Sequence, residues 1–107
     1  MTRREHLLTN AAEECTEVGQ RLSKALRFGL QEIQPGQTET NIERIRYELD
    51  DLLTVLAMAG IIEIDHEGAV YVDAGRQGKK ERKVEKFLEY AEQCGTLRES
   101  TACPGEP

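Results

Sequence analysis

Two stretches of this chain, from about Arg3 to Phe28 and from Asn41 to Gly60, repeat apolar residues at steps of three and four. That period matches the 3.6-residue turn and commits each stretch to an amphipathic α-helix. In the first, the stripe is Leu7, Leu8, Ala11, Cys15, Val18, Leu22, Ala25 and Leu26; in the second, Ile42, Ile45, Leu49, Leu52, Leu53 and Leu56. Thr2 is placed to cap the first helix and Gly29 to stop it. Thr40-Asn41-Ile42-Glu43 reads as a capping box that fixes the start of the second near Asn41. Gln31 to Thr40 connects them, with Pro35-Gly36 as its turn signal.

Each helix carries an acidic couple on the flank of its stripe, Glu14/Glu17 on the first and Glu48/Asp51 on the second. A spacing of three brings side chains to one face, about 60° apart at roughly 100° per residue. Asn10, Glu14, Glu17, Arg21 and Lys24 form one polar flank, whereas Glu13 lies further round towards solvent and Asp50 points elsewhere. Glu14 borders the apolar stripe, where a carboxylate is partly desolvated and needs a partner. Four carboxylates brought together by two helices repel one another unless a cation sits among them, and an all-oxygen set suits Mg²⁺, with Mn²⁺ as a substitute.

Beyond the helices the pattern changes. Ile62-Glu63-Ile64 and Val70-Tyr71-Val72 flank a turn-like Asp65-His66-Glu67-Gly68, which predicts a small β-hairpin over 61–73. Ala74 to Gly78 reads as a link, and Lys79 to Cys94 as a third helix with Val84, Phe87, Leu88 and Ala91 as its stripe and Gly95 as its stop. Its first turns carry Lys79, Lys80, Arg82, Lys83 and Lys86, a placement that opposes the helix dipole and that bound phosphate would reverse. Interleaved with Glu81, Glu85 and Glu89, the same run also fits an ordinary charged helix with salt-bridged pairs. Residues 1–95 are expected to form one helical domain and 96–107 a flexible tail.

With 107 residues the chain buries a modest core alone, so homo-oligomerisation is expected. The net charge is −6, from 20 acidic and 14 basic residues, which argues against a nucleic-acid polymer as partner. Three cysteines without C-x-x-C spacing point to a reducing compartment, with Cys15 and Cys94 expected in the core. No apolar run reaches the ~20 residues of a membrane span, and residues 1–6 do not open a secretory apolar segment. A soluble cytoplasmic protein is expected. Glu63-x-x-His66 has the spacing of a di-iron ligand pair, but such bundles need two of these motifs on helices, so His66 reads as a surface residue. His6 has no ligand spacing.

Glu13-Glu14-x-x-Glu17 followed at a distance by Glu48-x-x-Asp51 resembles the E-E-x-x-E…E-x-x-D signature of the MazG-like all-α nucleotide pyrophosphohydrolases, over residues 5 to 60. The resemblance implies a mainly α, NTP-pyrophosphatase-like helical bundle completed by dimerisation, sometimes with dimers paired into tetramers. It implies that Glu14, Glu17, Glu48 and Asp51 hold Mg²⁺, that Glu13 or Glu17 serves as general base, and that Asn10, Arg21, Lys24, Lys79, Lys80 and Lys83 face the substrate. The implied reaction is hydrolysis of a nucleoside triphosphate between the α and β phosphates, giving a nucleoside monophosphate and pyrophosphate. Phosphoribosyl-ATP or a nucleoside diphosphate are other substrates of this chemistry, and a helical interaction protein without catalysis is the reading from a different class. The predicted hairpin stands where many relatives stay helical, and the chain has no Trp and only five aromatics for stacking a base.

Overall fold

The computed structural model describes residues 1–98. It contains three helices, α1 (Arg3–Phe28), α2 (Asn41–Met58) and α3 (Ala74–Gln93), and the protein is mainly α. Both long helices begin where the sequence places them because both starts are chemically closed. Thr40 Oγ1 accepts from the Glu43 amide (3.2 Å) while Glu43 Oε1 accepts from the Thr40 amide (3.2 Å). The same reciprocal pair forms at Thr2 and Glu5, at 3.1 and 2.9 Å. Each box satisfies donors that a helix start otherwise leaves orphaned. α2 stops in a Schellman turn, with Gly60 left-handed (φ 77°) and the Ile61 amide donating to the Leu56 carbonyl at 2.9 Å.

The connection between α1 and α2 is held by Asn41, which is 2% exposed. Its Nδ2 donates to the Gly29 carbonyl (2.8 Å) and to Glu32 Oε1 (3.0 Å). Its amide donates to the Glu32 carbonyl (2.9 Å), and that of Ile42 to the Leu30 carbonyl (2.9 Å). The loop is thereby fixed to the first turn of α2, and α2 packs back along α1 as a helical hairpin.

The packed faces run in steps of four and three. On α1 the least exposed positions include Leu7, Ala11, Glu14, Val18, Arg21 and Ala25; on α2 they include Asn41, Ile45, Glu48 and Leu52, with Ala59 just past its end. Among the described residues the buried hydrophobic ones are three alanines, Ala11, Ala25 and Ala59, so the core between the two helices is narrow. The broad stripe expected on α1 is therefore two stripes. Leu8, Cys15, Leu22 and Leu26 point away from α2 and are exposed, and Cys15 is not the core residue expected. Cys94 is exposed as well, as the residue that closes α3.

The predicted hairpin is reduced to its turn. Ile64 and Val70 form one antiparallel bridge, and no strand is present among the described residues. Asp65 Oδ1 organises the turn by accepting from the amides of Glu67 and Ala69, each at 2.9 Å. Two short segments with no third strand to pair with hold only a marginal ladder. α3 begins at Ala74 and not Lys79, because Asp73 caps it by accepting from the Arg76 amide at 2.9 Å. Gly75 and Gly78, expected in a link, lie inside the helix.

No Cα of α3 comes within 8 Å of one in α1 or α2 among the described residues. The radius of gyration is 17.0 Å, against about 13 Å for a compact chain of this length. Val84, Phe87, Leu88 and Tyr90 on α3 are exposed. Most of the expected tail, from residue 99 on and including Cys103, lies outside the described residues.

Candidate functional site

The packing of α1 against α2 brings three carboxylates from the two acidic couples together. One oxygen each of Glu14, Glu17 and Glu48 lies within 4.8 Å of the others. Glu14 and Glu48 are half-buried, being members of the packed faces, while Glu17 sits at the rim. Asp51, one turn beyond Glu48, stays outside this set; it is exposed, and close enough only for its charge to act on Glu17. Of the four carboxylates expected together, Glu14, Glu17 and Glu48 are grouped and Asp51 is not.

The electrostatics of the cluster are unbalanced. Glu17 is held above the ordinary carboxyl range, first by sharing a hydrogen bond with Glu48, then by the Glu48 charge and by desolvation. Arg21 opposes that shift and Asp51 adds to it. Arg21 is the cation that pairs with the cluster among the described residues. Its Nε lies 3.9 Å from Glu48 Oε1, both side chains being about one-fifth exposed, at 21% and 19%. The sequence leaves open a pairing of Arg21 with Glu17 along its own helix; the ion pair instead crosses to α2.

Two oxygens have no partner. Glu14 Oε2 and Glu48 Oε2 are shielded from solvent and accept no hydrogen bond. A buried carboxylate oxygen without a donor carries its full desolvation cost, so these atoms are poised for a positive ligand. Around Mg²⁺, oxygens of one coordination shell lie about 3 to 4 Å apart, given metal–oxygen distances of 2.0–2.1 Å. The three oxygens lie within 4.8 Å of one another, the same range. The donor set therefore fits a hard divalent cation.

The other expected site residues are distributed differently. Lys24 is half-buried on α1, one turn beyond Arg21. Glu13 and Asn10 are exposed and line a shallow depression with Arg3, His6, Leu7 and Thr9 at the N-terminal end of α1. They do not join the carboxylate cluster. Lys79, Lys80 and Lys83 line a separate cleft with Val72, Asp73 and Arg76. No Cα of α3 lies within 8 Å of one in α1 or α2 among the described residues, and these lysines line a cleft that the carboxylates do not share. The salt-bridged pairs expected along α3 are also missing. Ion pairs among the described residues form only between Arg21 and Glu48 and between the exposed His66 and Glu67, the latter at 3.7 Å.

No family model, curated protein or solved structure matches the chain. No helix among the described residues is long and apolar enough to cross a membrane.

Proposed function

We propose that the protein is a Mg²⁺-dependent nucleotide pyrophosphohydrolase that cleaves a nucleoside triphosphate between its α and β phosphates. The observation that carries this reading is the grouping of Glu14 and Glu17 on α1 with Glu48 on α2, in which Glu14 Oε2 and Glu48 Oε2 are buried and unpartnered. The resemblance of the two acidic couples to the MazG-like signature supplies the reaction type.

In this reading Glu14, Glu17 and Glu48 hold the ion, and Asp51 joins them by swinging in from the rim. Bound Mg²⁺, or Mn²⁺ in its place, supplies charge neutralisation and polarisation of a phosphoryl oxygen. The chain's own groups do the rest. Arg21 and Lys24, on the same flank of α1, are the cations placed to orient phosphate oxygens. A carboxylate left free of metal takes the proton of the attacking water, either Glu13 further along α1 or, where Asp51 takes its place on the ion, Glu17. A homodimer, or a tetramer of paired dimers, completes the bundle and covers the apolar surface left by one chain. A soluble cytoplasmic protein with a nucleotide substrate fits the acidic composition and the exposed cysteines.

The exposed apolar faces and the distance of α3 from the carboxylates favour a second reading, a helical interaction module without catalysis. A panel of canonical and modified nucleotides, including diphosphates and phosphoribosyl-ATP, assayed for pyrophosphate or phosphate release with Mg²⁺ and Mn²⁺ separates the two. The catalytic reading expects at least one substrate and its loss in Glu14→Gln and Asp51→Asn. The interaction reading expects none.

A further inference from the structure

The charges of α3 are sorted by face. At roughly 100° per residue, Arg76, Lys79, Lys80, Lys86, Phe87 and Tyr90 all fall within about 60° of Lys83 around the helix axis. No other residue of Ala74–Gln93 falls on that face, so every position on it is cationic or aromatic. Glu81, Glu85, Glu89 and Glu92 lie about 120° to 180° away from Lys83. Acids and bases that alternate along the sequence therefore stand on opposite sides of the helix. No ion pair joins them among the described residues. The cations and both rings of this face are exposed, Phe87 at 60% and Tyr90 at 64%.

Keeping the cations on one face costs stability. Arg76 and Lys80, and likewise Lys79 and Lys83, are like charges four residues apart, which repel. Those in the first turns also oppose the helix dipole. The net charge of −6 hides this sorting, because α3 itself holds six basic residues against four acidic ones. A polyanion laid along the face relieves the repulsion and gains from each cation.

We propose that this face of α3 binds single-stranded nucleic acid, its cations holding successive phosphates while Phe87 and Tyr90 stack on bases. From Arg76 to Tyr90 the face runs about 21 Å at 1.5 Å per residue, long enough to meet several phosphates. Cations and aromatic rings on one surface match an unpaired strand, in which each nucleotide offers a phosphate and a free base face. A duplex buries its base faces in the stack and leaves Phe87 and Tyr90 unused. A membrane surface suits the helix less well. The apolar strip of Val84, Leu88 and Ala91 is bordered by Glu81 and Glu92, which anionic headgroups repel. The strand site lies on α3 alone and does not rest on the catalytic reading.

Fluorescence anisotropy of the full chain with a labelled oligonucleotide of mixed sequence, DNA and RNA in separate arms, tests this. Binding should be micromolar in 50 mM salt and weaken about a hundredfold by 200 mM, as roughly five phosphate contacts on a single strand require. Lys83→Glu and Arg82→Glu change the charge equally at neighbouring positions, but Arg82 lies about 100° off the face. Lys83→Glu should weaken binding at least about fivefold more than Arg82→Glu does, with helicity by circular dichroism unchanged in both. Phe87→Ala should weaken it at least about fivefold at unchanged salt slope. No binding in either arm at about 100 μM protein, equal losses in the two charge variants, or indifference to Phe87→Ala would overturn the proposal. Polyglutamate or phosphatidylserine vesicles competing as well as unlabelled strand would overturn it in favour of an acidic protein or a lipid surface. A nucleoside triphosphate competing as well at equal phosphate would overturn it in favour of a mononucleotide.

Discussion

Glu17 on α1 and Glu48 on α2 place carboxylate oxygens within 4.8 Å of each other although 31 residues separate them in the chain. Two like charges at that range repel, and the repulsion shows at Glu17, at the rim, whose proton affinity is raised first by the hydrogen bond it shares with Glu48 and then by the Glu48 charge. Folding and metal binding pull in opposite directions on this group. Protonation relieves the repulsion, whereas a cation needs the ionised form.

A pH dependence follows with a definite sign. Glu17 titrates higher in the folded protein than its ordinary value of 4.5, so the folded state binds its proton more tightly than the unfolded state. Its ionisation therefore costs stability once pH rises above the folded value, and the cost is relieved as pH falls back through it. In EDTA, Glu17→Gln should melt higher than wild type at pH 7, and the difference should vanish towards pH 4. Glu5 and Glu43 carry the opposite sign. Their caps hold them below 4.5, so the stability they contribute is present at neutral pH and lost in acid. Thermal melts of the three Glu→Gln variants between pH 3 and 8 check both directions.

The loop clamp gives a prediction free of the site. Asn41→Ala removes two hydrogen bonds and leaves the Gly29 carbonyl and Glu32 carboxylate without that donor. The expected cost is about 1–3 kcal/mol, read as a fall in urea midpoint at unchanged m-value. Asn41→Asp should cost more, since it sets a carboxylate against two acceptors.

Glycines separate by conformation. Gly78 lies inside α3 with nothing nearer to a built Cβ than Arg82 Nη1 at 3.3 Å, the movable end of a flexible side chain. Gly78→Ala should raise the helicity of α3, by up to about 1 kcal/mol in helix propensity. Gly60 closes α2 at φ 77°, and Gly60→Ala should destabilise by a similar amount. Hydrogen exchange of the amides in α3 and at the end of α2 reads the two effects separately.

How far the residues foretold this arrangement depends on whether the deciding interaction was local. The bounds of α1 and α2 were legible because Thr2, Thr40 and Gly29 act on neighbours three or four positions away. The joining of Glu14, Glu17 and Glu48 was legible because helical spacing fixed their faces. The start of α3 was misplaced because Gly75 and Gly78 look like a linker, while the Asp73 side chain that caps the helix resembles any loop acid. The division of the α1 stripe was not legible either. Leu7 and Leu8 differ by one position, about 100° of rotation, and only the placement of α2 decides which of them it covers. Cys15 went outward with Leu8. Nor did the sequence show where α3, with Lys79, Lys80 and Lys83, would lie relative to α1 and α2, since that is a matter of where 61–73 leads the chain.

The central claim is that Glu14, Glu17 and Glu48 form a divalent-cation site for a nucleotide's phosphates, and Mn²⁺ titration followed by electron paramagnetic resonance tests it directly. Wild-type protein should bind Mn²⁺ in competition with Mg²⁺, with affinity reduced at least about tenfold, or roughly 1.4 kcal/mol, in Glu14→Gln and Glu48→Gln, and with a change of spectrum on adding a nucleoside triphosphate substrate. Free Mn²⁺ signal undiminished at millimolar metal, or binding indifferent to both substitutions, would contradict it.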